Sequence, residues 1–153
     1  MAGIDALTAH AREHPDRIAV VVDGSGGARP STTTFAELDA MVNRLANGLL
    51  AEGARPGDRI VWCGPNSLEV LVTVHAARKC DLVAVPLSSR FTADEMRFVI
   101  DDSGATVVVA DAEQAEAVAA AVAECPAVRL LVVHGGPVPA GARAWDELTG
   151  GRS

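Results

Sequence analysis

Short apolar runs alternate along this chain with longer stretches in which apolar residues recur every third or fourth position. The runs at 18–22, 59–63, 82–86, 106–110 and 129–133 read as strands, because a handful of largely apolar residues bounded by turn formers suits burial in a sheet. The stretches between them carry helical stripes, such as Phe35, Leu38, Val42, Leu45 and Leu49. From Arg59 onward the order is strand, helix, strand, helix, strand, helix, strand. Connections of helical length force parallel pairing, so the fold class predicted is α/β: a doubly wound, mostly parallel sheet with helices on both faces.

Ahead of that unit, Ile4, Leu7 and Ala11 give a first helical stripe, ended by Pro15. The strand at 18–22 closes on Asp23-Gly24-Ser25-Gly26-Gly27, and Ser31-Thr32-Thr33-Thr34 looks extended, so the two form a hairpin. Capping boxes punctuate the chain from there on. Thr34 with Glu37, Asn66 with Glu69, and Thr92 with Glu95 each place a cap oxygen three residues before a carboxylate that can reach back to the cap N–H. Asp111 is expected to cap an alanine-rich helix running to Glu124, before Pro126. Gly53 and Gly104 supply helix stops.

The run Leu82-Val83-Ala84-Val85 before Pro86 reads as the central strand, buried on both faces and stopped by the proline, which has no N–H for the ladder. Residues 87–92 then form a loop at its carboxyl end, where open α/β sheets present functional groups. Arg90, in that loop, is the candidate site residue. The last strand ends at Val133. Beyond it the chain is rich in glycine and proline with few apolar anchors, and Trp145-Asp146-Glu147-Leu148 is one helical turn at most. The expected division is an α/β subdomain over 1–134 and a linker over 135–153 toward a missing remainder.

Composition narrows the function. A formal charge of −7 with scattered basic residues argues against a nucleic-acid partner. No apolar run approaches a bilayer span and the N-terminus has no basic start or apolar h-region, so the expectation is a cytoplasmic protein without a transmembrane segment. Cys63, Cys80 and Cys125 form no CxxC pair and read as buried, reduced thiols. The glycines at 24–27 lead into threonines rather than a helix, which favours a hairpin turn over a phosphate loop. His10 and His14 lie one helical turn apart without a third ligand, and His75 reads as a satisfied packing residue. Asp101 and Asp102 point apart on a helix. No nucleophile elbow or cysteine–histidine spacing is present. No catalytic residue and no metal site is assigned.

Five phrases nevertheless occur in a telling order: Thr34-Phe35-Ala36-Glu37-Leu38 with Asn43-Arg44-Leu45-Ala46, Pro56-Gly57-Asp58-Arg59-Ile60, Pro65-Asn66-Ser67, Val83-Ala84-Val85-Pro86-Leu87, and Asp102-Ser103-Gly104-Ala105. Together they resemble the N-terminal part of adenylate-forming enzymes, the superfamily of acyl-CoA synthetases, nonribosomal adenylation domains and luciferases. The stretch from Leu87 to Glu95 is most similar to fatty-acyl-CoA and related acyl-CoA ligases.

The resemblance implies a parent enzyme that uses ATP and magnesium to convert a carboxylate, such as a fatty acid, to an acyl-adenylate and then transfers the acyl group to CoA. It also implies that the phosphate loop, the adenine and ribose contacts and the lid lysine lie beyond this chain, which is inactive alone and binds none of these cofactors tightly. Relatives use an arginine matching Arg90 to contact the phosphates of CoA. Two positions depart from the family pattern: Asp81 replaces a glycine, and Ser89 stands where proline or tyrosine is frequent. The missing C-terminal remainder is the expected partner, and an isolated subdomain could self-associate through surface meant for it. The alternative expectation is a complete, noncatalytic α/β binding or regulatory module.

Overall fold

In the computed structural model, residues 5–24 and 29–150 are described. Ile4 of the first helical stripe and residues 25–27 of the hairpin turn lie outside them. Helix α1 (Ala6–Glu13) precedes the antiparallel hairpin of β1 (Ile18–Val22) and β2 (Ser31–Thr34). There follow α2 (Phe35–Ala51), β3 (Arg59–Cys63), α3 (Leu68–Lys79), β4 (Val83–Leu87), α4 (Ala93–Asp102), β5 (Val107–Asp111), α5 (Ala115–Val122), β6 (Leu130–His134), β7 (Arg143–Ala144) and α6 (Trp145–Thr149). The main sheet has five strands in the order β4-β3-β5-β6-β7, every pairing parallel. Alternation along the strands divides the core: Ile60, Trp62, Val107, Val109 and Val132 pack under α2, α3 and α6. Val61, Val108, Ala110 and Val133 pack under α4 and α5. The doubly wound α/β prediction holds.

The apolar run at 82–86 is not the central strand. β4 sits at the sheet's edge, with β3 as its only neighbour among the described residues, and Val83 is 53% exposed. An apolar run reports what a strand can bury, not which neighbours it has, so β5 and β6 take the interior instead. Edge placement also explains Pro86, which lies within the ladder opposite Trp62 while the strand continues to Leu87.

The boundary at 134 moves as well. Residues 143–149 are packed, not free: β7 pairs with Val132 and Val133, Arg143 pairs with Glu52 at 2.9 Å, and Trp145 and Leu148 are buried. Composition averaged over the segment hid two anchors at helical spacing.

The boxes at Thr34–Glu37 and Thr92–Glu95 form as predicted. For α3 the cap is Ser67 rather than Asn66, its hydroxyl accepting from Val70 N. Asp111 does not cap α5; its carboxylate accepts from Glu113 N in a local turn, and the helix starts at Ala115 and ends at Val122.

Helices α2, α3 and α4 end alike. The residue after the cap has positive φ, at Gly53, Asp81 and Gly104, and donates to the third carbonyl before it, while the next residue donates to the fifth before it (Ala54 to Leu49, Leu82 to Ala77, Ala105 to Ile100). Asp81 thus keeps the left-handed conformation (φ 55°) without being glycine. A left-handed residue with a Cβ costs about 1–2 kcal/mol, less for aspartate, and glycine's looser unfolded chain offsets part of that. Asp81→Gly is therefore expected to stabilise the chain by about 0.5–1 kcal/mol, read by urea denaturation. A midpoint that stays or falls would exclude strain at this cap.

A polar node joins the first three helices. Lys79 Nζ donates to Asp39 Oδ1 (2.6 Å), Asn43 Oδ1 (2.7 Å) and Thr8 Oγ1 (2.8 Å), and Thr8 and Asn43 in turn donate to Asp39. Burial pulls the Asp39 carboxyl up, but these hydrogen bonds and the Lys79 charge leave it below the usual carboxylate range. The three cysteines are free and buried; burial, aided by the Asp111 charge, pushes the Cys63 thiol up to about 11. His75 departs from the expected packing role in one respect, since its buried Nδ1 has no hydrogen-bond partner among the described residues, and burial lowers its basicity. The His10 ring packs on Phe35 at 5.3 Å. No helix among the described residues is long and apolar enough to cross a membrane.

Candidate functional site

Parallel strands all point their carboxyl ends the same way, so the loops after β3, β4, β5 and β6 share one rim of the sheet. From β3 the chain passes first to β4 on one side and later to β5 on the other. Such a switch point leaves a crevice between diverging loops, the usual ligand position in open α/β sheets.

Between the ends of β3 and β4 lies a groove lined by Trp62, Gly64, Asn66, Pro86, Ser88 and Arg90. Arg90 is brought there by a tight turn in which Ser88 Oγ accepts from Arg90 N (3.3 Å) and the Ser88 carbonyl accepts from Phe91 N (3.2 Å). The turn's far end is fixed by α4's capping box, where Thr92 N donates to Glu95 Oε2 at 2.8 Å. That backbone bond, reinforced by the Thr92 hydroxyl, holds the Glu95 carboxyl below its usual range. The Arg90 side chain is exposed and makes no hydrogen bond or ion pair with a described residue. An unpaired planar guanidinium beside two serine hydroxyls can take a phosphate or carboxylate through two parallel hydrogen bonds.

At the opposite wall, the ends of β3 and β5 approach so closely that a Cβ on Gly64 would lie 2.9 Å from Asp111 Cβ and 3.0 Å from the Trp62 indole. Only glycine fits there. The Trp62 Nε1–H is buried beside it without a hydrogen-bond partner among the described residues.

Further along the rim the structure gathers residues to which the sequence assigned no more than a capping role. His134, ending β6, is in register with Asp111, ending β5. Its Nε2 is 3.3 Å from Glu69 Oε1, its Nδ1 is 3.9 Å from Asp111 Oδ2, and Trp145 meets the ring edge-on at 5.7 Å. The available signal was positional: Asp111 and His134 each follow four apolar strand residues, so each had to emerge at the carboxyl rim. Among the described residues no group of three or more histidines, cysteines and carboxylates is arranged to hold a metal ion.

Residues 7–150 match the family described as AMP-binding enzyme. The chain is 45% identical over 107 residues to a feruloyl-CoA synthase of Amycolatopsis, covering 70% of this chain and 21% of that protein. It is 40% identical over 89 residues to a long-chain-fatty-acid–CoA ligase of Mycobacterium tuberculosis, covering 56% and 18%. It also superposes on acetoacetyl-CoA synthetase from Streptomyces lividans with a TM-score of 0.82 at 28% identity, covering 94% of this chain and 24% of that one. The chain therefore spans about a fifth of the length of the curated relatives it matches.

Proposed function

The chain belongs to the family of AMP-binding enzymes, and from that premise we propose that it is the N-terminal subdomain of a cytoplasmic, ATP-dependent acyl-CoA ligase. The parent joins a carboxylic acid, in our reading a medium- or long-chain fatty acid, to ATP with magnesium, releases pyrophosphate, and passes the acyl group from AMP to the thiol of CoA. The relatives named above carry feruloyl, fatty-acyl and acetoacetyl groups in their names, which supports acyl-CoA formation as the shared chemistry.

The observation that carries the reading for this chain's own residues is Arg90, its guanidinium without a partner among the described residues, at the rim of the groove between the ends of β3 and β4. Its guanidinium fits a phosphate of CoA. The remainder of the polypeptide supplies the ATP phosphate contacts and the lid that keeps water from the mixed anhydride. We place part of that remainder against the free edge of β4 and the neighbouring α3 surface, where Val83, Leu71 and Val74 are exposed. This chain alone is then inactive, and self-associates through that edge when the remainder is missing.

The test uses the full-length gene product and a panel of carboxylic acids. Thioester formation dependent on ATP and CoA is expected; no CoA consumption with any acid would sink the ligase reading. In the same enzyme, Arg90→Ala is expected to raise the KM for CoA about tenfold, the worth of one charge-assisted contact, and to leave pyrophosphate exchange intact. Equal losses in both half-reactions would remove Arg90 from CoA binding.

A further inference from the structure

The wall of the groove that faces Arg90 is the connection 64–67, and little within that connection holds it. No hydrogen bond outside the helices and the sheet involves Gly64, Pro65 or Asn66 among the described residues. Its position is therefore set by its ends: by β3 on one side and by the first turn of α3 on the other. Glu69 lies in that first turn, two residues after the Ser67 cap. Its carboxylate faces the His134 imidazole at 3.3 Å. Behind the imidazole stand Asp111, in register on β5, and the edge of Trp145. The ring thus lies between the start of α3, with Nε2 3.3 Å from Glu69, and the end of β5, toward which its buried Nδ1 makes no hydrogen bond among the described residues.

We propose that His134 is a positioning residue for the Arg90 groove, fixing the 64–67 wall through Glu69. Two features give the bridge leverage. The imidazole and both carboxylates are mostly shielded, with side-chain exposures of 28%, 23% and 20% for His134, Glu69 and Asp111, so a polar contact among them competes with less water than one on the open surface. Gly64 is already in contact range of Asp111 and Trp62, so a shift of α3's start cannot be absorbed at that point and passes into the groove lining. Cutting the bridge frees the start of α3 while the sheet and Arg90's own turn stay in place. The consequence falls on the ligand that the groove takes, not on chemistry elsewhere in the enzyme. For its kinetic consequence, the proposal rests on the reading of the groove as the CoA phosphate site; the positioning itself does not.

The test compares wild type, His134→Leu and His134→Gln in the full-length protein. In His134→Leu, amide hydrogen exchange over 70–74 is expected to rise about tenfold, with 42–50 in α2 unchanged. The KM for CoA should rise by a similar factor, since small displacements of a binding wall are costly, while pyrophosphate exchange keeps its wild-type rate. His134→Gln, whose amide can still donate toward Glu69, should recover most of both effects. Unchanged exchange over 70–74 overturns the positioning role, and so does parallel loss of pyrophosphate exchange and thioester formation, which marks general unfolding. If wild type forms no thioester, the ligase reading fails by itself, and the hydrogen-exchange comparison still decides whether His134 holds the wall.

Discussion

Replacing Lys79 with methionine lowers the unfolding free energy by about 3 kcal/mol, the expected cost of removing one partner from a largely buried charge pair. Lys79 and Asp39 are only 13% and 15% exposed and lie 2.6 Å apart. Methionine fills much of the volume but leaves the Asp39 carboxylate with only Thr8 and Asn43 as donors. The node is also what joins α1 to the rest of the molecule by polar contacts, since Thr8 sits on α1, Asp39 and Asn43 on α2, and Lys79 at the end of α3. Loss should therefore include fraying of α1. Pairing Lys79→Met with Asp39→Asn should recover a good part of the stability, because the stranded charge is gone. The pH dependence has a defined sign. A carboxyl held below its ordinary range contributes stability that is fully present above the unfolded value and is lost as pH falls through the lowered one. The penalty for Lys79→Met should accordingly shrink in acid. Urea denaturation at neutral and acid pH checks both points, and a neutral-pH change under about 0.5 kcal/mol, the size of an exposed pair, would show the node to be energetically idle.

None of that node was visible in the chain as letters. Thr8, Asp39, Asn43 and Lys79 are polar residues on three helices, and each taken alone reads as a solvated face. What brings them together is the packing of α1 and α3 on α2, a tertiary fact. The same distinction separates the rest of the fold. Elements set by local chemistry were legible: the Thr34 and Thr92 boxes, the Gly53 and Gly104 stops, and the strand–helix order that forces a parallel sheet. Features set by neighbours were not. β4 looked central because its residues are apolar, and strand order decides who covers them. The rim cluster was half legible. Arg90 announced itself by following a strand into a loop, whereas Glu69, Asp111 and His134 come from α3, β5 and β6: the parallel register of β5 with β6 brings the last two together, and Glu69 reaches them from the start of α3.

Asp81 shows the converse case. The family pattern asked for glycine, and the backbone adopts the glycine-like conformation anyway, because the two hydrogen bonds that end α3 and the start of β4 fix it from both sides. Local preference lost to a motif held at its ends, at a cost small enough for one domain to carry.

Gly48→Ala sets the two levels against each other most directly. Gly48 lies inside α2, where alanine is favoured over glycine by about 1 kcal/mol on helix propensity. The packing predicts the opposite sign. A Cβ at Gly48 runs into the backbone carbonyl of Leu148, with the Leu148 carbonyl carbon and Cβ each 3.0 Å away. Main chain cannot rotate aside as a side chain can, so α6 must move as a unit. Its displacement uncovers Trp145 and Leu148 and loosens the Arg143 contacts to Glu52 and Glu147 at 2.9 and 3.0 Å. Overpacking of this kind costs about 1–3 kcal/mol and the exposed Trp145 adds to it, so the net expectation is a loss of about 2 kcal/mol despite the better helix former. Hydrogen exchange over 143–149 should rise, and Trp145, freed from His134, should emit further to the red. The sign should reverse once α6 is already released: added to Trp145→Ser and Leu148→Ser, the same alanine should be neutral or stabilising. A higher melting temperature for Gly48→Ala in the otherwise native chain would mean that 143–149 does not hold its place against α2, and the segment would return to being a linker.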